Sequence, residues 1–351
     1  MVKTTARERR YRRFAARFTA AIGVLLMAIG CVAAAHAEAI AVKALPLAFN
    51  PEATLKQSEG RLVYRGGLEL RSGAAAFGGF SAARVSADGR QLIALSDRGS
   101  WLTATIDYDE NGRLTGVHGA HLAPMARPNG EARMDSEGLT IGADGALIVS
   151  TERKHRLLRY ESPTAGDDAF LLDADALARL TPVALPVPTG FAAMGSNEGI
   201  EALLALSDGR LLAIEEGREA TGEALSHAWL IGPDGRGVAL NLKRSANFRP
   251  TDAALLPDGD VLLLERRYTE IGGVAARLRL IEGGTIRPSA TLDGAIVATL
   301  IPPVTVDNME ELALYRRDGE TRLLMMSDDN FNAGLQRTLL LQFVLEPAVQ
   351  K

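Results

Sequence analysis

At 351 residues, with 47% hydrophobic, 23% charged and 5% aromatic residues, the chain has the composition of a globular protein with a sizeable core, which excludes a disordered or fibrous one. Its 35 glycines exceed ordinary usage without a collagen period and predict many tight turns. The formal charge of −4 combines a strongly basic start with an acidic remainder.

Lys3, Arg7, Arg9, Arg10, Arg12, Arg13 and Arg17 form a basic region, the apolar run Phe18 to Ala35 follows it, and Ala35-His36-Ala37 is an Ala-x-Ala cleavage site. This order predicts a secretory signal over 1–37, cleavage before Glu38, and one domain over 38–351 in the periplasm or outside the cell. Arg12-Arg13-Phe14 loosely matches a twin-arginine signal. Ala28-Ile29-Gly30-Cys31 is a poor lipobox, and anchoring at Cys31 is the alternative. The apolar run is near the length of a spanning helix, but no second such run follows, so no membrane span is expected in the mature chain. Removing 1–37 leaves 32 basic residues against 42 acidic ones, a net −10, which argues against nucleic-acid binding. Cys31 is the only cysteine, so the mature chain has no disulfide, thiolate metal site or cysteine nucleophile. Its histidines are His118, His121, His155 and His227. His118 and His121 have a spacing that could share a metal, but no third ligand is near in sequence, and an ordinary surface pair is the better reading.

One phrase then recurs five times: an apolar stretch, a turn with Asp-Gly, a second apolar stretch, and an acidic residue with Arg commonly nearby. The copies begin at Phe80, Glu137, Ile200, Thr251 and Glu310, and their turn aspartates are Asp88, Asp144, Asp208, Asp258 and Asp318. Asp-Gly between short apolar runs predicts hairpins, with Gly supplying the positive φ that tight primed turns require. Runs such as 92–95, 147–150, 261–264 and 323–326 are too short for core helices and read as buried strands. Further strands are expected over 101–108, 156–161, 228–232 and 277–282, and a short helix over 173–180. About four strands per unit, repeated around a centre, make an all-β propeller. Segments 60–71 and 338–345 are strand-like leftovers at the two ends. Joined, they predict a sixth four-stranded blade closed by the N- and C-terminal strands. An α/β domain would need amphipathic helices between the strands, and none is found.

A hairpin brings the start of its first strand and the end of its second to one end. Two polar rows therefore share one face of the disc. The first row holds Glu137, Asn197, Glu198, Glu201, Asp252, Asn308, Glu310 and Glu311. The second holds Asp97-Arg98, Glu152-Arg153, Glu215-Glu216, Glu265-Arg266 and Asp328-Asp329-Asn330. Oxygen ligands in this number suit a hard cation such as Ca²⁺, while arginines on the rim can clamp phosphate or carboxylate. Strand alternation predicts that only one of Glu310 and Glu311, and one of Asp328 and Asp329, faces the channel. The turn aspartates read as structural, and there is no Gly-x-Ser-x-Gly nucleophile elbow.

The runs SDRG (96–99), DSEGL (135–139), SNEGIEAL (196–203), ERRY (265–268), DNMEELAL (307–314) and SDDNF (327–331) resemble the motifs of the phytase-like domain family, exported bacterial proteins described as having esterase-like activity. The resemblance spans roughly 60 to 345. It implies a propeller related in fold to calcium-dependent phytases and, more loosely, to gluconolactonase and paraoxonase-like propellers. Its motif positions fall on Asp97, Arg98, Glu137, Glu201, Glu265, Arg266, Glu310, Asp328 and Asn330. Glu311 stands where the family more often has Gly. The resulting expectation is a Ca²⁺-dependent hydrolase of small phosphate esters, monomeric by default, in which a cation-bound water attacks. Glu137, Glu201, Asp252, Glu310, Asp328 and Asn330 are its expected metal ligands, with Asp97, Arg98, Glu265 and Arg266 at the reacting centre. A lactonase or carboxylesterase is one alternative. A non-catalytic periplasmic propeller that binds a ligand or protein is another, and it predicts a rim locked in arginine–acid pairs.

Overall fold

Each repeated phrase folds as an antiparallel hairpin, and the five hairpins open five separate sheets. The computed structural model describes residues 36–348 apart from 54, 132–133, 162–172, 197, 218–224 and 245–246. The signal expected over 1–37, with its twin-arginine and Cys31 motifs, therefore lies almost wholly outside the described residues, as does Asn197.

Blade one runs outward through Phe80–Val85, Gln91–Ser96, Ser100–Tyr108 and Leu114–Pro124, with Glu38–Ala39 on its edge. Blade two contains Ser136–Ile141, Leu147–Thr151, Arg156–Tyr160 and Pro182–Leu185. Blade three contains Ile200–Ala205, Leu211–Glu215, Leu225–Ile231 and Gly237–Lys243, with Thr291–Leu292 added in parallel. Blade four contains Arg249–Leu255, Val261–Thr269, Gly273–Ile281 and Ala295–Leu300. Blade five begins with Met309–Arg317 and Glu320–Ser327, continues through Thr338–Leu345, and is completed by the N-terminal strands Leu62–Ser72 and Val42–Pro46. The five first strands touch one another in a closed ring around the axis.

The propeller expected from the repeats is present, but it has five blades rather than six. The leftover strands do close a blade with the two ends of the chain. That blade is the fifth, because the hairpin from Met309 has only two strands of its own and takes Thr338–Leu345 and Leu62–Ser72 as its third and fourth. The core agrees with this count, since its five apolar clusters are the five seams between neighbouring blades. Trp101 and Tyr160 meet edge to face at 5.6 Å across the seam between blades one and two. Phe49, Tyr64 and Phe343 cluster at the closing strands.

Four of the five Asp-Gly turns are not primed. Asp318 and Gly319 both take positive φ and form a two-residue primed turn, but at the other four only the glycine does. There the aspartate side chain accepts the N–H two residues on, as from Arg90 to Asp88 at 2.9 Å and from Arg210 to Asp208 at 3.0 Å. The expected short helix is Ala174–Arg179, capped by the Asp173 carboxylate. No helix among the described residues is long and apolar enough to cross a membrane.

Candidate active site

Each first strand carries a β-bulge at its start. The register jumps past Ser81, Thr251, Glu201 and Glu310, and in blade two Glu137 and Gly138 face the single residue Ser150. A bulge breaks strand alternation and re-aims the extra side chain. Ser81, Glu137, Glu201, Thr251 and Glu310 thus form one ring, one residue per blade. Hydroxyls tie the ring's strands together: Ser81 donates to the Ser136 carbonyl at 2.6 Å, Ser150 to that of Ile200 at 2.6 Å, and Thr251 to that of Met309 at 3.3 Å.

A second ring lies one residue after the partner of the residue that precedes each bulge, at Asp97, Glu152, Glu216, Arg266 and Asp328; in blade four that position is itself paired, Arg266 with Arg249. Four of these positions repeat one backbone bond, in which the N–H donates to the carbonyl of Gly79, Asp135, Gly199 or Asn308 respectively. The two rings together bring seven carboxyls and Arg266 to the channel mouth. Arg266 reaches Glu216 at 2.9 Å and Glu310 at 3.1 Å, Arg249 reaches Glu216 at 3.3 Å, and Asn308 donates to Glu310 at 2.7 Å.

The carboxyls outnumber the cations, and their acidity records it. Burial first, then the charges of Glu201, Glu152, Glu310 and Asp97, hold Glu137 well above the usual carboxylate range. Glu201 is raised by burial and by Glu216 and Glu310, against the opposing pull of Arg266. Glu310 is raised by burial although Arg266 lowers it, and Asp328 by burial and Glu310. Asp97 is also raised by burial. Glu152 is pushed up to about 7 by burial, Asp135 and Glu216. Glu137 makes no hydrogen bond or ion pair with a described side chain, and its stem packs beside that of Glu152 at Gly199.

A carboxyl that titrates near 4.5 when unfolded and near 7 when folded lends stability that is full below pH 4.5 and lost as pH rises through 7. Glu152→Gln is therefore expected to flatten the decline in stability between those limits. Denaturant unfolding at pH 5 and pH 8 checks this, and equal pH slopes in the two proteins would refute it.

The mouth has a floor. Arg84 reaches across the axis to Asp252, donating at 2.8 and 3.0 Å, and also to the carbonyls of Leu203 at 3.2 Å and Leu312 at 3.4 Å. Asp252 also accepts the N–H groups of Ala253 and Leu312, both at 2.8 Å. Just beyond it Glu311 is 1% exposed, with both carboxyl oxygens lacking a hydrogen-bond partner. Burial and the charges of Glu310, Asp328 and Asp252 push it up.

Of the expected site residues, Asp97, Glu137, Glu201, Arg266, Glu310 and Asp328 come together at the mouth, while four others are used differently. Asp252 is engaged by Arg84. Glu265 is fully buried in the sheet against Arg277 at 2.7 Å and Arg279 at 2.9 Å. Asn330 is exposed, and its backbone N–H caps Asp328 at 2.7 Å. Arg98 is exposed, with its guanidinium stacked 3.4 Å from the centre of the Phe331 ring. Glu310 and Glu311 are both buried, Glu310 as the bulge residue and Glu311 paired opposite Met326. Asp329 accepts the N–H groups of Gly79 and Phe331, which ties down the adjoining loops. His118 lies 2.9 Å from Asp107, and His121 2.9 Å from the Gly119 carbonyl. Glu152 and Glu216, expected on the polar face but not assigned a role there, complete the site together with Arg84 and Arg249, which were not among the expected residues. Among the described residues no three His, Cys, Asp or Glu side chains are gathered closely enough to hold a metal ion.

A family model described as "Phytase-like: Esterase-like activity of phytase" matches residues 75–331. No curated protein matches the chain. Among solved structures it is similar to virginiamycin B lyase from Staphylococcus aureus, at 10% identity over 86% of this chain and 99% of that one, with a TM-score of 0.38. The β-propeller domain of Cps50 (Swd1) from Myceliophteria thermophila is 10% identical over 88% and 100%, with a TM-score of 0.38. A Dyadobacter fermentans protein of unknown function is 13% identical over 89% and 94%, with a TM-score of 0.43.

Proposed function

The chain belongs to the phytase-like family, and from that premise we propose that it is an exported hydrolase that cleaves small esters at the acidic mouth of the propeller. The observation that carries this reading is the pair of rings, which sets carboxyls of raised pKa around one half-buried arginine, Arg266. Such perturbed groups in a cleft mark sites that transfer protons. Glu152, poised near neutrality, and its neighbour Glu137 move protons to and from the attacking water and the leaving group. Arg266, fixed between Glu216 and Glu310, meets the oxygen on which negative charge develops. Arg98, held on the Phe331 face, adds a second cation at the rim. Phosphate esters are the substrates we favour, because Arg266 and Arg249, both held on Glu216, set two guanidinium groups at the mouth to match a phosphoryl group. Lactones and carboxylic esters form the second class to assay.

Calcium dependence is a separate proposal, supported by chemistry rather than geometry. The all-oxygen donor set suits a hard cation, and Glu137, Glu201, Glu310 and Asp328 are the carboxylates it would meet. A bound cation would supply polarisation of a phosphoryl or carbonyl oxygen. The side chains do not form a finished cage, so every step above is assigned to the protein's own groups.

Chromogenic phosphate and carboxylic esters, assayed from pH 5 to 9 with and without Ca²⁺, test both proposals. Turnover is expected, with a limb near pH 7 that Glu152→Gln removes, and no turnover of either class would overturn the hydrolase. Calorimetric titration of the metal-stripped protein with Ca²⁺ should show binding that Glu137→Gln/Glu310→Gln abolishes. Absence of that binding would sink calcium dependence and leave the protonic mechanism standing.

A further inference from the structure

At the rim, blades one and five meet through Arg98, in the turn after Asp97, and Phe331, in the loop after Asp328. The guanidinium carbon lies 3.4 Å from the centre of the ring, a separation that only face-to-face contact allows, because an edge-on guanidinium would drive a nitrogen into the ring. A strained backbone holds the ring there. Asn330 and Phe331 take φ of 49° and 50°, a region that bulky side chains rarely enter. The Asp328 and Asp329 carboxylates keep them in it by accepting their N–H groups at 2.7 and 3.0 Å. Room for the ring comes from Gly79, where a Cβ would lie 2.0 Å from it. Core packing does not account for this arrangement, since Phe331 joins none of the five apolar clusters that fill the seams. Nor does charge pairing: Arg98 is exposed, and its guanidinium makes no ion pair or hydrogen bond with a described residue, whereas Arg153 is paired with Asp135 and Arg266 with Glu216.

A guanidinium carries its N–H groups in its own plane, so its faces are weakly hydrated and open to stacking. Phe331 covers one face of Arg98, and the exposure of Arg98 leaves the other looking out from the rim. We propose that this free face binds a planar aromatic group, which makes aryl esters, whether of phosphate or of a carboxylic acid, the preferred substrates of the mouth. The link to esters rests on the hydrolase reading, whereas the stacking itself does not. Phe331 is the positioning residue: it fixes the guanidinium before the ligand arrives and so removes the rotamer freedom that an unsupported arginine would lose on binding. A neutral ring suits the face better than an anion, because the acidic rings beside it repel negative charge.

The test is titration of the purified protein with naphthol, followed by its fluorescence, and displacement of the naphthol by decahydronaphthol, its saturated and non-planar counterpart. Both probes are neutral at pH 7, so neither reports on an anion site. Naphthol should bind at least about fivefold more tightly than the saturated alcohol. Arg98→Met, which keeps the length and loses the cation, should abolish that preference, and Arg98→Lys, which keeps the charge and loses the plane, should fall between. Phe331→Leu should reduce the preference and Phe331→Tyr should retain it, a rescue that a merely structural role for the ring would not give. Arg236→Gln, on an exposed turn of blade three, should leave it unchanged. Equal binding of the two alcohols, or a preference that survives Arg98→Met in a protein that melts like the wild type, would overturn the platform. Turnover of naphthyl and ethyl acetates by the wild type separates the two proposals. Turnover without a preference for naphthol sinks the platform alone, and a preference without turnover of any ester sinks the hydrolase alone.

Discussion

Arg84→Met is expected to lower the stability of the fold by about 3–5 kcal/mol, the range for breaking a buried ion pair from one side. The guanidinium is the one described partner that neutralises Asp252, which is 1% exposed and lies where the first strands of the ring converge. Arg84 also satisfies the carbonyls of Leu203 and Leu312, so blades three, four and five each lose a contact to blade one at once. The double variant Arg84→Met/Asp252→Leu should recover part of the loss, since an apolar pair of similar volume commonly replaces a buried ion pair with little penalty. Recovery should remain incomplete, because Asp252 accepts the N–H groups of Ala253 and Leu312, which no leucine can replace. Urea unfolding of the wild type and the two variants measures both terms. A loss below about 1 kcal/mol for Arg84→Met would show that the channel floor is open to water and that Asp252 is solvated rather than plugged.

The floor also explains what the sequence could not reveal. Arg84 is an unremarkable residue inside the first repeated phrase, and its partner is 168 residues away. No spacing rule links them; only closure of the ring brings blade one opposite blade four. The repeats, by contrast, were legible because each hairpin is a local object specified by its Asp-Gly turn and two apolar runs. The blade count was miscounted because a strand's sheet is a long-range property. Segments 60–71 and 338–345 look alike whether they add a blade or complete one, and the difference rests on how many strands the hairpin from Met309 already owns.

The placement of Glu265 shows a subtler limit. In sequence Glu265-Arg266 resembles Asp97-Arg98 and Glu152-Arg153, and matching acid to acid puts Glu265 at the mouth. Counting from the turn gives another answer, since Glu152, Glu216 and Arg266 each lie eight residues after their turn aspartate. That count aligns Arg266, not Glu265, with the acids of the second ring, and the hairpin registers bear it out. Period-two alternation then turns Glu265 the other way, into the sheet and onto Arg277 and Arg279. The bulges were the harder feature. They carry Glu137, Glu201 and Glu310 inward, yet an extra residue in one strand leaves no mark in the apolar pattern of a short hairpin.

Glu137→Gln is expected to reduce kcat by about 10²–10⁴-fold, the range for loss of a positioned proton-transfer group, while KM changes little. The same substitution should raise stability at pH 8. In the wild type the four charges acting most on Glu137 are those of Glu201, Glu152, Glu310 and Asp97, all of the same sign as its own. Folding therefore holds its proton more tightly than the unfolded chain does. The stability from that group is full below the unfolded pKa and lost as pH rises through the raised folded value. Glutamine keeps the shape and never ionises, so at pH 5 the two proteins should melt alike and at pH 8 the variant should melt higher. A residue retained only for packing would give neither the loss of turnover nor the pH-dependent gain, and one retained as half of an ion pair would lose stability at pH 8 when neutralised. Thermal melts at the two pH values, run beside steady-state kinetics, distinguish these cases. A variant that melts lower at pH 8, or one that turns over as fast as the wild type, would remove Glu137 from the reacting centre. The repulsion in the rings is then the signature of function, a local instability that the rest of the propeller tolerates because a charge-free mouth would have nothing with which to move a proton.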